Sequence, residues 1–328
     1  MGAYRLILAI LVALSHMGVS VYSYNPGVFA VISFFVISGF VTTALIRRNY
    51  PNKQGIISFY ADRALRIYPQ FLFYFLASIA IIYTFLPNSI YARALNPENI
   101  VLSLAIFPLN FWMFGITQPD ILPPAWSLGL ELFFYSLIPF LLVLKIRGLC
   151  LTLSILVFIA ACLGYLHTDF WGYRLLPGVL FIFLCGSYIY DNSRRQQIVI
   201  WATSLFAFLT FSLIFLGIIP RAPFNTEVTA GVAFAIPAVR WLSSLSYSKM
   251  DEFLGNISYG VFLNHFIYIY LAQTLGHLEL TTTSATTILL LSILTSLFSY
   301  RLVERPILKM RHIIRQRNRV ANAGTQPS

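Results

Sequence analysis

An all-α polytopic membrane protein, with about ten transmembrane helices and one re-entrant or interfacial segment, is the fold this sequence predicts. Three observations carry the prediction. Of the 328 residues 58% are hydrophobic and 10% charged, and the mean hydropathy of +0.77 lies far above that of an ordinary soluble domain. The apolar residues fall into runs of about 20, the length a helix needs to cross a bilayer core. Lys and Arg gather in some of the links between runs and are scarce in the others, the asymmetry that orients membrane helices.

The elements follow in order. The first run, 4–23, contains YRLILAILVALSHMG, with a single Arg before its apolar part and no small-residue cleavage pattern after it. It is expected to be a retained span, not a removed leader. The second, 27–46, ends at the basic link RRNYPNKQGIISFYADRALR, which leads into the third, 67–86. A run at 100–116, with VLSLAIFPLNFWMFG, holds Pro108 and several aromatic residues. If it crossed, the basic links before and after it would lie on opposite faces; if it dips into the outer interface, every basic link lies inside. It is therefore expected to be the re-entrant or interfacial segment. Runs at 128–144, 149–166, 174–190, 198–219, 228–245, 257–275 and 285–303 complete the ten. The links KIRG and DNSRRQQ and the tail RPILKMRHIIRQRNR are basic, whereas those near Arg93, His167 to Tyr173, Arg221 and His277 are not. Both termini are thus expected on the cytoplasmic face. Residues 1–310 read as one membrane domain, and 311–328 as a basic tail whose end, beyond Arg319, is expected to be disordered.

The net charge of +11 is spread among apolar runs and short links, which fits cytoplasmic anchoring and argues against a nucleic-acid partner. Cys150, Cys162 and Cys185 lie within apolar stretches without disulfide or metal spacing, so packing roles are expected and no metal site. No HExxH, CxxC, P-loop or GxSxG pattern supports metal hydrolysis, a nucleotide-driven motor or an α/β-hydrolase.

Four constellations carry chemistry. Arg5 and His16 are eleven residues apart, which on a helix returns to within about 20° of the same face at about 16 Å of rise. Arg5 reads either as a snorkelling anchor or as a functional cation at the cytoplasmic mouth. His16, deep in a span, reads as a general base facing an interior cavity or as a hydrogen-bonded structural group. In FYADRALRIYP, Arg63 and Arg66 are three apart and present two guanidinium groups together, suited to phosphate oxygens. With Arg47, Arg48 and Lys53 they form a basic surface that the positive-inside rule alone would also produce. Ser127, Glu131 and Tyr135 follow i, i+4, i+8 spacing on one helix face, and a carboxylate there must be paired, hydrated or protonated. Glu131 could orient an imidazole, act as a base, or bond a neighbouring helix. Ser258 and His265, seven apart, share a face with Asn264 beside them, either lining the cavity of His16 or bonding between helices. Glu304 is expected to pair with a nearby Arg, and Pro306 to break the last helix. His167, His277 and His312 fall in loops or the tail and take no role.

Taken together and in order, these pieces resemble acyltransferase family 3, integral-membrane O-acyltransferases that modify bacterial surface glycans and some secondary metabolites. Arg5 and His16 fit the family's Arg-x10-His; FFVISGF, which contains Ser38, fits its second-span signature; Arg63 and Arg66 followed by IYP, with Tyr68, fit its arginine motif. WSLGLELFFY, opening with Trp126, fits Trp-Ser-Leu-x-x-Glu, and ISYGVFLNHF fits Ser-Tyr-Gly-x-x-Leu-x-His. The resemblance implies ten core spans in a bacterial inner membrane. It implies acyl-coenzyme A, with acetyl the commonest acyl group, as a co-substrate held through its phosphates by Arg63, Arg66 and Arg5. His16 would deprotonate an acceptor hydroxyl or handle the acyl group in transit, and Glu131 would orient or balance that step. Ser38, Tyr68, Trp126, Ser127, Tyr135, Ser258, Asn264 and His265 become candidate cavity-lining residues. A glycan or lipid-linked glycan is the implied acceptor, with membrane lipids around the chain and no permanently bound cofactor. No extracytoplasmic hydrolase-like domain is visible, which favours a stand-alone type. The rival from another class is a secondary transporter or flippase of a glycan-related substrate, which would show inverted repeats or matching broken spans. A non-catalytic scaffold leaves His16 and Glu131 unexplained.

Overall fold

The computed structural model describes residues 1–52, 55–274 and 282–323. Among the described residues there is no strand, only an isolated bridge between Val21 and Tyr24. The helices are α1 (Gly2–His16), α2 (Pro26–Asn49), α3 (Ile56–Phe85), α4 (Pro97–Leu104), α5 (Trp126–Val143), α6 (Arg147–Cys162), α7 (Leu176–Asp191), α8 (Arg194–Phe215), α9 (Asn225–Leu242), α10 (Lys249–Thr274), α11 (Thr282–Ser299) and α12 (Arg305–Ala323).

Six helical stretches among the described residues are long and apolar enough to cross a membrane: 26–49, 56–85, 123–143, 170–191, 194–215 and 283–318. The helices α1 and α6 are apolar but shorter. Polar groups interrupt α9 and α10, which hold Glu227 in one case and Asn256, Ser258, Asn264 and His265 in the other.

Several boundaries differ from those read in the sequence. The first helix stops at His16 instead of running to residue 23, because Gly18 has φ +83° and Tyr22 and Ser23 also take positive φ, turning the chain back through the 21–24 bridge. His16 is therefore the last residue of α1. The third helix starts well before the expected residue 67: α3 runs unbroken from Ile56, with the arginine motif and Pro69 inside it. The segment at 100–116 is α4, a reversal at Ile106 with φ +61°, and a 3-10 stretch over Phe107–Phe114. At 300–306 the chain stays helical where a break was expected. A π-turn over Tyr300–Glu304 leads directly into α12; the Arg305 N–H bonds the Tyr300 carbonyl five residues back, and Pro306 follows within the continuous helix. The helix α12 continues to Ala323, past the point expected to be disordered; 324–328, Lys53 and His277 lie outside the described residues.

Ion pairs gather at one end of the bundle, here the basic end. Asp191 of α7 receives both Arg47 of α2 and Arg147 of α6. Asp251 of α10 accepts the amides of Gly2 and Ala3 at 2.8 Å, capping α1 from a neighbouring helix. Burial alone would raise that carboxyl; the amides of Ala3 and Gly2 outweigh it and hold it down at about 2.

The tightest seam lies between α2 and α7. A Cβ built on Gly39 would meet the Phe183 carbonyl oxygen at 1.8 Å, and one on Gly186 the Val36 oxygen at 1.9 Å. Phe183 stacks on Phe35 and Phe134 beside this crossing. Backbone cannot give way as a flexible side chain can. Gly186→Val is therefore expected to destabilise the fold by about 3 kcal/mol or more, read as a lower melting temperature of the purified protein. Gly148→Ala, whose Cβ would meet only the Tyr188 hydroxyl at 3.6 Å, should leave it unchanged.

Candidate active site

Three adjoining cavities run from the basic end of the bundle to its opposite end. The first, about 550 Å³, is bordered by six arginines, Arg5, Arg48, Arg63, Arg66, Arg311 and Arg315, and reaches inward past Ser38, Glu131 and Tyr135 to Ser127 and Phe262. The second, about 70 Å³, shares Val31, Ser127 and Phe262 with the first and holds His16, Trp126, Tyr173 and Arg174. The third, about 590 Å³, shares Ser15, Asn25 and Phe224 with the second and adds Arg221 and Glu227.

The helix period explains how each side chain arrives. Arg5 and His16 share a face of α1, so one reaches the first cavity and the other the second. Ser127, Glu131 and Tyr135 all point from α5 into the first cavity. The Glu131 carboxylate accepts from Ser38 Oγ of α2 and from the Tyr135 hydroxyl, both at 2.5 Å. It does not hold the His16 imidazole, contrary to one sequence reading; two hydroxyls on α2 and α5 occupy it. The Tyr135 ring lies 5.6 Å from the Arg63 guanidinium, linking the carboxylate to the arginines.

The partner of His16 is His265. His16 Nδ1 and His265 Nε2 are 2.9 Å apart, the rings lie edge to edge and nearly coplanar, with centroids 5.2 Å apart and planes at 10°, and Phe266 packs against both. His265 Nδ1 lies 3.1 Å from the Val261 carbonyl oxygen. A carbonyl can only accept, so His265 carries its proton on Nδ1 and offers Nε2 as a lone pair. His16 must then donate from Nδ1, leaving its Nε2 lone pair free. His265 is wholly buried, whereas the His16 ring is accessible within the chamber that it borders.

Arg174 faces His16 across the second cavity, among Trp112, Trp126, Tyr173 and Phe224 at 4.6 to 5.9 Å from their ring centroids, and pairs with Asp169 at 2.7 Å. Its carbonyl accepts from Asn110, which ties the broken 100–116 segment to this chamber. In the third cavity the buried Glu227 accepts the Asn25 amide at 3.1 Å.

At the basic mouth the two motif arginines have separate partners. Arg66 pairs with Glu304, and its guanidinium lies 5.1 Å from the Tyr259 ring. Arg63 pairs with Asp62 at 2.7 Å, which Arg311 and Arg315 of α12 also reach, at 3.2 and 3.1 Å. Arg5 makes no ion pair among the described residues.

The remaining sequence candidates separate. Ser258 borders the first cavity while bonding its own helix at Gly255, and Trp126 borders the second. Asn264 is wholly buried between α10, α3 and α11, bonded to Tyr74, Ser292 and Ser296; it is an interhelix bridge and borders none of the three cavities. Tyr68 also lies away from them, its hydroxyl on the Ala105 carbonyl. Asp62, Arg174, Asn25, Glu227, Arg311 and Arg315 were not singled out in the sequence. Asp62 had a visible signal, as a carboxylate inside a run of arginines; Arg174 and Glu227 stand at the edges of the runs 174–190 and 228–245 with no pattern around them.

Comparison with known proteins identifies the chain's relatives. A family described as "Acyltransferase domain", acyltransferase family 3, matches residues 3–303. A protein of Aquifex aeolicus with no named function is 34% identical over 204 residues, 58% of this chain and 90% of that one. A Staphylococcus aureus protein called "Putative O-acetyltransferase" is 24% identical over 308 residues, 78% of this chain and 49% of its own. The chain thus spans about half the length of that relative. A Haemophilus influenzae protein with no named function is 27% identical over 209 residues, 56% of this chain and 83% of that one. No solved structure matches. With the family match over nearly its whole length and a bundle of apolar helices, the chain belongs to acyltransferase family 3, as a multi-pass membrane acyltransferase.

Proposed function

We propose that this protein is a membrane O-acyltransferase that moves an acetyl group from acetyl-coenzyme A to a hydroxyl of a surface glycan or lipid-linked sugar, in a bacterial inner membrane. The observation that carries the reading is the His16 Nε2 lone pair, free at the constriction between an arginine-bordered cavity and a separate cavity at the far end. The basic end faces the cytoplasm with both termini. Ten crossings follow, α1 to α3 and α5 to α11, with 100–116 folded back into the outer interface. Support comes from the ends they share: Asp191 joins α2, α6 and α7 at the basic end, and Asn25 meets Glu227 at the other.

The donor enters the first cavity with its phosphates on Arg5, Arg63 and Arg66, where guanidinium forks match phosphate oxygens. Its thioester points inward. The acceptor arrives through the third cavity, where Asn25 and Glu227 meet its hydroxyls. His16 Nε2 takes the acceptor O–H proton, the oxygen bonds to the acyl carbon, and the C–S bond breaks. The leaving thiolate of coenzyme A then takes up that proton. Glu131, with Ser38 and Tyr135, borders the inner part of the donor cavity and orients the thioester arm. The chamber of about 70 Å³ is much narrower than the cavities of about 550 and 590 Å³ on either side, which supports a short acyl group.

Two measurements test this. Purified protein should release coenzyme A from acetyl-coenzyme A in the presence of a glycan acceptor, at least about 10-fold faster than from hexanoyl-coenzyme A. Mass spectrometry of surface polysaccharide should show acetyl increments with the intact gene and none with a deletion or His16→Ala. Increments persisting in all three strains would overturn the glycan acceptor and favour a transporter.

A further inference from the structure

We propose that α12, through Arg311 and Arg315, forms the outer half of the donor's phosphate site, and that Asp62 is the counter-ion which those phosphates relieve. The inference rests on the donor reading above and adds residues beyond the matched family region, which ends at 303. Asp62 is wholly buried, and Arg63 and Arg311 are each 5% exposed. One carboxylate therefore serves three guanidinium groups: Arg63 at 2.7 Å, Arg311 at 3.2 Å and Arg315 at 3.1 Å. Two positive charges are left over, and the buried Arg63 Nε has no hydrogen-bond partner.

Uncompensated buried charge is costly. The pair at Arg66 shows the contrast, since Glu304 neutralises that arginine one for one. All three clustered arginines border the first cavity, with Leu308 and His312 of α12 beside them. The cluster is thus an open demand for an anion of two or more charges at the cavity mouth. Phosphate groups on a nucleotide thioester meet that chemistry. An anionic lipid headgroup offers the same oxygens, and the test below separates the two.

The full chain is placed in phosphatidylcholine nanodiscs and coenzyme A binding is measured by calorimetry and by ligand-induced change in melting temperature. Arg311→Gln with Arg315→Gln leaves Asp62 paired with Arg63, so the fold is expected to persist while coenzyme A binds roughly 10- to 100-fold more weakly. Asp62→Asn removes the competing anion. The unliganded protein should melt at a lower temperature, yet coenzyme A should bind more tightly and raise that temperature more than in the wild type. Unchanged binding in the double variant, or weaker binding in Asp62→Asn, would overturn the proposal and leave α12 a structural brace. Wild-type protein that binds no coenzyme A would instead overturn the donor reading itself. If phosphatidylglycerol nanodiscs alone reproduce the stabilisation and coenzyme A adds nothing, the cluster is a lipid site and the proposal fails.

Discussion

Replacing His16 with alanine is expected to lower kcat for acyl transfer by about 10³-fold, a positioned general base being worth roughly 10² to 10⁴, with the KM for the acyl donor changed less than about twofold. The split follows from the geometry. On the proposed donor site, phosphates and thioester lie in the first cavity, which His16 does not border, whereas His16 borders the second chamber, proposed to receive the acceptor hydroxyl. No neighbour there can replace it. Arg174 is a guanidinium and remains protonated, and the hydroxyls of Ser15, Ser127 and Tyr173 are too weakly basic. Glutamine at this position should be as inactive as alanine, since an amide offers no basic nitrogen. The check is a steady-state assay of thiol release from acetyl-coenzyme A with purified protein. A variant retaining more than a tenth of the wild-type kcat would remove His16 from the chemistry.

What could be read from the sequence was whatever one helix determines by itself. Arg5 with His16, and Ser127 with Glu131 and Tyr135, follow the 3.6-residue period, so their common faces were visible without any fold. Contacts between helices were not, because no local pattern encodes which faces meet. His265 meets His16 across 249 residues, and Ser38 meets Glu131 across 93. Both pairs were among the candidates, but the hydrogen bonds join them differently from the expectation that Glu131 tends the imidazole. Helix ends were lost for another reason. Gly18 inside an apolar run is neutral in composition, and only its left-handed backbone shows that α1 stops short. Pro306 was read as a breaker because proline disrupts helix interiors, yet here it follows a π-turn within a helix that continues. Arg311 and Arg315 were read as part of a tail, since a basic segment after the last span satisfies the positive-inside rule without further contact. Their reach to Asp62, on a helix whose backbone stays continuous through 300–304, is a tertiary fact.

His265→Leu is expected to lower kcat by about 10²-fold without changing the donor KM, and His265→Gln to restore part of that loss. His265 borders neither of the cavities proposed for donor and acceptor; on this reading it acts through His16 and is a positioning residue. Its Nε2 accepts the His16 Nδ1 proton, and its own proton is spent on the Val261 carbonyl. Leucine fills the space, keeps the packing against Phe266, and leaves His16 Nδ1–H with no acceptor. The His16 ring is then free to turn or to carry its proton on Nε2, where it can no longer act as a base. Loss of tautomer control is known to cost as much as about 10⁴ in another enzyme's histidine, and the second ring nitrogen of a functional histidine is generally fixed by such a partner. Glutamine can place its carbonyl oxygen near the position of Nε2 and accept the same bond, so it restores the tautomer without the ring. A structural role alone would give the opposite order. Leucine suits an apolar pocket better than glutamine does, so the leucine variant would be the more stable and the more active of the two. Measuring kcat, KM and melting temperature for both variants therefore separates the two roles: recovery by glutamine despite lower stability identifies tautomer control, and higher activity in leucine removes it.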